Sequence, residues 1–233
     1  MWNKKAKKCI YTLNINGFAP EVTELTYPLI KAYAKKIEAD FYIIKERKFP
    51  DWPPVYEKTQ IYELAQEMEN DWNIYIDSDA LVHPDCIDLT LLIPKDTVMH
   101  HGSDFSPIRW REDRFFHRDG RHIGSGNWLT LGSDWCIELW KPLDDLSLEE
   151  ARQNIFPTAD ERNAGVFDPS HLIDDYTLSR NIAKYGLKFM TVRALLEKIG
   201  FQGGGPFFWH QYLAPAEVKV QEMKNVLKRW GVV

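Results

Sequence analysis

Trp72-Asn73-Ile74-Tyr75-Ile76-Asp77-Ser78-Asp79 is the stretch on which the reading of this chain turns: an apolar run of core-strand length stops on two carboxylates separated by one small residue. Two carboxylates at a strand end can both turn toward one hard cation. An oxygen-ligated Mg²⁺ or Mn²⁺ held in this way leaves positions open for substrate phosphates. The plain alternative is a solvated turn after a core strand, and Asp-x-Asp alone occurs in many unrelated proteins.

Upstream of that stretch the chain alternates. Cys9-Ile10-Tyr11-Thr12-Leu13 reads as a first strand, with Asn14-Ile15-Asn16-Gly17 as the loop leaving its carboxyl end. Leu25, Leu29, Tyr33 and Ile37 recur every four residues and predict a helix over about Thr23 to Glu38, where Pro28 is tolerable near the first turn or as a kink. Phe41 to Ile44 reads as a second strand. Ile61, Ala65 and Met68 mark a helix from about Val55 to Glu69 that leads into Trp72. Strand, helix, strand, helix, strand implies right-handed crossovers and a parallel sheet, with ligands at the carboxyl ends of the strands. Asp77, Asp79 and the Asn14–Gly17 loop all lie at such ends.

Downstream the pattern loosens, with candidate strands at Thr97 to His100, Trp128 to Leu131, Leu187 to Val192 and Pro206 to Trp209, and mixed pairing is expected there. Ser147-Leu148-Glu149-Glu150 is a capping-box signature. A helix is predicted from about Asp174 to Lys184, stopped by Gly186. The last helix, roughly Ala216 to Trp230, places Met223, Val226, Leu227 and Trp230 on one stripe with lysines opposite, and is expected to pack on the sheet.

The 233 residues are 44% hydrophobic and 27% charged, enough for one globular domain with a sizeable core. A formal charge of -5 argues against a nucleic-acid partner recognised by phosphate neutralisation. Cys9, Cys86 and Cys136 are widely spaced and include no C-x-x-C pair, so neither a disulfide framework nor a structural zinc site is suggested. The basic stretch Met1–Lys8 is followed by only a short apolar strand, with no signal-peptide core and no integral membrane segment. The expected protein is soluble and cytoplasmic.

The order of these motifs resembles the GT-A class of nucleotide-sugar-dependent glycosyltransferases. Tyr56-Glu57-Lys58-Thr59-Gln60-Ile61-Tyr62-Glu63-Leu64, followed by the strand ending at Asp77-Ser78-Asp79, is similar to that class's run of lysine, helix, strand and Asp-x-Asp. Gly124 to Leu131, ahead of Asp134-Trp135, resembles the strand lining the acceptor side. Asp174-Asp175-Tyr176-Thr177-Leu178 looks like the start of the helix that carries the catalytic base in inverting members. Phe207-Phe208-Trp209-His210 resembles the late strand whose histidine completes the metal site.

The resemblance implies an α/β fold: a single GT-A-type domain with a central, mostly parallel mixed sheet flanked by helices. Residues 8–79 would form the nucleotide-binding half, 80–215 the acceptor-binding half and 216–233 a terminal helix. It also implies Mn²⁺ or Mg²⁺ held by Asp79 and His210, with Asp77 binding the metal or the donor ribose, a nucleotide-sugar donor with uridine diphosphate first among the candidates, and a glycan or glycoconjugate acceptor. Asp175 would be the base and Asp174 its neighbour, because an inverting transfer needs a group to take the acceptor hydroxyl's proton. A retaining reaction would demote both to substrate contacts.

For each residue a simpler role stands beside this one. Asp174 and Asp175 can merely favour the amino end of their helix, His210 can be a core histidine, and Lys58 can lie on a solvated helix face rather than reach the donor's phosphates. Asn14 and Asn16 lie where the nucleotide is expected. Gly203-Gly204-Gly205 can be a backbone cradle for diphosphate, with Gly204 at its centre, or a plain turn. The arginine-rich segment from Arg109 to Arg121 is a candidate acceptor loop for an anionic group or a solvated loop. Among nine tryptophans, Trp110, Trp128 and Trp135 are candidates to stack on sugar rings. Rival readings are a haloacid-dehalogenase-like phosphatase with Asp77 as nucleophile, a nucleotidyltransferase on a related fold, and a non-enzymatic nucleotide-sugar-binding module.

Overall fold

The computed structural model describes residues 5–100, 128–155, 169–198, 207–211 and 214–232. In chain order these form β1 (Lys8–Leu13), α1 (Pro20–Ile37), β2 (Asp40–Ile44), α2 (Ile61–Glu67), β3 (Trp72–Ile76), β4 (Leu81–Val82), β5 (Thr97–His100) and β6 (Leu129–Ser133). There follow α3 (Leu148–Gln153), α4 (Ile173–Lys184), β7 (Lys188–Thr191), α5 (Val192–Lys198), β8 (Phe208–Trp209) and α6 (Ala216–Arg229).

Six strands make one sheet in the order β2-β1-β3-β6-β5-β7. β1 pairs parallel with β2 and with β3, and β5 pairs parallel with β7, while β6 runs antiparallel to both β3 and β5. The sheet is therefore mixed and mostly parallel, as the motif order implies. Alternate residues of its strands feed two cores. Ile10, Ile74, Ile76, Leu129 and Leu131 pack under α1 (Ile30, Tyr33, Ile37) and α5 (Leu195, Leu196). Cys9, Tyr11, Tyr75 and Val98 face the other way, against α2 (Ile61, Ala65) and α4 (Ile173, Tyr176, Ile182). Tyr75 thus points toward the layer that holds α4, on the same side as the carboxylate two residues on.

Three details depart from the sequence reading. Residues Pro54–Gln60 form a 3₁₀ segment, and the α-helix begins only at Ile61, where the apolar spacing itself begins. Pro28 lies well inside α1 rather than in its first turn. Pro28 and Glu24 are both exposed, so the carbonyl freed by the missing N–H is open to water. Finally, α6 does not pack on the main sheet. Its Met223, Val226 and Leu227 bury themselves against Val22 of α1 and Leu81 of β4. Ser147 and Glu150 do form a reciprocal capping box at α3.

β4 and β8 form a separate two-stranded antiparallel ribbon with Leu81 opposite Trp209 and Val82 opposite Phe208. This ribbon positions the site. Carried one residue further, its register sets His210 against Ala80, beside the carboxylate of Asp79.

Candidate metal and donor site

The turn after β3 is fixed from three sides. Asp77 N–H donates to the Trp128 carbonyl at the start of β6 (2.8 Å), Ala80 N–H closes the turn on the Asp77 carbonyl (3.0 Å), and the Thr26 hydroxyl of α1 donates to the Ser78 carbonyl (2.6 Å). Asp77 and Asp79 then converge with His210 so that one ligand atom from each lies within 4.8 Å of the others. His210 Nε2 is 3.2 Å from Asp79 Oδ1 and 3.8 Å from Asp77 Oδ2. The imidazole is stacked on the indole of Trp128, with ring centroids 4.9 Å apart and planes 15° apart. Trp128, a candidate for sugar stacking or for the core, packs partly buried against the core and stacks on a candidate ligand.

Each carboxylate also has protein partners of its own. The Tyr75 hydroxyl donates to Asp77 Oδ1 (2.5 Å), and Lys58 Nζ lies 3.9 Å from the same oxygen. Lys58 is buried, sits 4.2 Å above the Tyr75 ring and pairs with Asp174 Oδ2 at 2.5 Å. On the other carboxylate, the Lys219 ammonium of α6 pairs with Asp79 Oδ2.

Burial disfavours charge on both aspartates, with opposite outcomes. It prevails at Asp77, whose carboxyl is raised in spite of Lys58 and His210. It is outweighed at Asp79, where the His210 hydrogen bond and Lys219 hold the carboxyl at about 2. Burial likewise pulls Lys58 down, but Asp174, Asp77 and Asp175 together keep its ammonium above the ordinary lysine value.

Two carboxylates and an imidazole at this spacing are a donor set that fits a divalent cation, and nearby Lys58 links it to the acidic start of α4. Lys58 is therefore not on a solvated face. The 3₁₀ segment that carries it is pinned by its neighbour Glu57, which accepts from Arg47 Nε (2.8 Å) and from the backbone N–H groups of Lys48 and Phe49 (3.0 Å each). Asp174 is buried in a salt bridge rather than spent on capping, and Asp175 follows it half-buried.

The Asn14 loop leaves β1 at the same end of the sheet. Asn14 N–H extends the β1–β2 ladder to the Ile44 carbonyl (2.8 Å), and its side chain lies beside the Tyr27 hydroxyl. Asn16 is exposed, with a left-handed φ of 58°. Gly204 and the segment from Arg109 to Arg121 lie outside the described residues.

Residue-by-residue reasoning overlooked Lys219, Tyr75 and the role of Trp128. Tyr75 had a local signal, since the residue two before Asp77 shares its face of the strand. Lys219 had none.

No family model matches this sequence, and neither does any curated protein. Among solved structures the chain matches the crystal structure of a glycosyltransferase involved in the glycosylation of the major capsid of PBCV-1, with a TM-score of 0.52 over 94% of this chain and 99% of that one. The two share a fold. At 13% identity the likeness concerns architecture, and the chemistry has to be argued from the side chains above.

Proposed function

We propose that this chain is a divalent-cation-dependent glycosyltransferase that moves a sugar from a nucleotide-sugar, a uridine diphosphate sugar first, to a carbohydrate hydroxyl. The observation that carries this reading is the convergence of Asp77, Asp79 and His210 at the carboxyl end of β3, in a fold shared with a glycosyltransferase. When bound there as Mn²⁺ or Mg²⁺, the cation would offset the negative charge that develops on the departing diphosphate.

The chain's own groups do the rest. His210, clamped by Trp128, and Asp79 hold the cation side of the site, while Asp77 is kept in orientation by the Tyr75 hydroxyl. The Thr12 hydroxyl, buried and without a hydrogen-bond partner among the described residues, and Asn14 at the carboxyl end of β1 support a nucleoside on that side. Asp174 is committed to Lys58, which makes it a positioning residue. Asp175, next to it and half-buried, is the base that takes the acceptor proton in an inverting transfer.

The test is transfer or slow donor hydrolysis with a panel of nucleotide-sugars, followed by release of nucleoside diphosphate and by the anomeric configuration of the product. Asp175→Asn is expected to lower kcat by about 10²–10⁴-fold with donor binding kept. An unchanged kcat would remove Asp175 from the role of base. Diphosphate released from a nucleoside triphosphate instead would identify a nucleotidyltransferase.

A further inference from the structure

Asp79 is engaged through both oxygens, by His210 Nε2 on Oδ1 (3.2 Å) and by the Lys219 ammonium on Oδ2. The lysine is well shielded rather than set on an exposed helix surface. It lies in the first turn of α6, four residues before Met223, so the packing that buries Met223 against α1 and β4 aims Lys219 at the Asp77–Asp79 turn. Both partners are well shielded, with side chains 12% and 11% exposed. An ammonium and a divalent cation cannot both sit at full strength on one carboxylate, because like charges a few ångströms apart repel strongly in partly buried surroundings.

Resting on the glycosyltransferase reading, we propose that Lys219 is a tethered counter-ion: it neutralises Asp79 while no divalent cation is bound, yields Asp79 to the cation, and then pairs with the anionic diphosphate of the donor. Lysine suits the second task as a mobile point charge on a flexible stem. The device ties metal loading to nucleotide binding, because the charge the metal displaces is the charge the diphosphate needs. Metal alone then binds more weakly than two carboxylates and an imidazole would allow. Metal and nucleoside diphosphate reinforce each other by a coupling factor on the order of 5–150-fold.

Lys219→Met keeps the aliphatic stem and removes the charge. Calorimetric titration of Mn²⁺ alone is expected to show tighter binding to this variant than to the wild type, by about 5-fold or more. Titration of uridine diphosphate at saturating Mn²⁺ is expected to show weaker binding by a similar factor. A merely structural lysine would weaken both. The Mn²⁺-induced rise in melting temperature gives a second readout and should be larger in Lys219→Met, while Lys219→Arg should behave like the wild type.

Unchanged or weaker Mn²⁺ binding by Lys219→Met overturns the proposal. The Mn²⁺ titration needs no nucleotide, so it tests Lys219 separately. A wild type that binds Mn²⁺ but no nucleotide overturns the glycosyltransferase reading, and with it the diphosphate half of this proposal.

Discussion

Asp174→Asn removes a charge from a pair whose other member, Lys58, is almost completely buried. Lys58 Nζ would lose its partner Asp174 at 2.5 Å and keep Asp77 at 3.9 Å and the attraction of Asp175, with the Tyr75 ring 4.2 Å from the ammonium. Breaking a buried ion pair from one side costs about 3–5 kcal/mol, because it strands a charge away from water. The remaining attraction of Asp77 and Asp175 places the expected loss near the lower end, about 3 kcal/mol. For a chain of this size that corresponds to a fall in Tm of roughly 6–12 °C.

The assay is urea unfolding of Asp174→Asn, Lys58→Met and the double variant, read as a thermodynamic cycle. The double variant should be less destabilised than the sum of the singles by at least about 1.5 kcal/mol, since it strands no ammonium. Additive losses, or a loss below about 1 kcal/mol in Asp174→Asn, would refute the commitment of Asp174 to Lys58 as a buried ion pair.

Other positions respond in other ways. Trp128→Ala frees the His210 ring and is expected to weaken Mn²⁺ binding about 10–100-fold by titration. Arg180 of α4 is buried and forks onto Asp145 through two bonds of 2.9 Å, which hold the Asp145 carboxyl below the usual carboxylate range. A pKa lower in the folded than in the unfolded state stabilises above the unfolded value, near pH 4, and that contribution is lost as pH falls through the folded value. Asp145→Asn should therefore cost about 2 kcal/mol at neutral pH and flatten the acid limb of stability measured by denaturant unfolding. A Cβ at Gly132 would meet the ring of buried Trp140 at 3.3 Å, so Gly132→Ala should lose about 1–3 kcal/mol in the same assay.

How much of this was legible in the sequence depended on how local each signal was. The bounds of β3 and the placing of Asp77 and Asp79 at its end follow from an apolar run that stops abruptly, and Ser147 and Glu150 declare their helix start within four residues. The β4–β8 ribbon is two residues per strand, too short to show any periodicity, yet it is what brings His210 to Asp79. The burial of Lys58 is not legible locally, because the helical spacing of Ile61, Ala65 and Met68 has no apolar match three or four residues upstream, where Lys58 and Glu57 stand. Lys219 looks like the other lysines of α6 from its neighbours alone. Only the docking of α6 onto α1 and β4, a contact between distant parts of the chain, singles it out.

In the reading proposed above, Asp77, Asp79 and His210 form a cation-dependent seat for a nucleotide-sugar. Calorimetric titration of nucleoside diphosphates and nucleotide-sugars, each with and without Mn²⁺, on the wild type and on Asp79→Ala, tests it most directly. Mn²⁺-dependent binding of a nucleotide-sugar that Asp79→Ala abolishes is the expected result. Binding that ignores both Mn²⁺ and Asp79, or no binding under any condition, would contradict it.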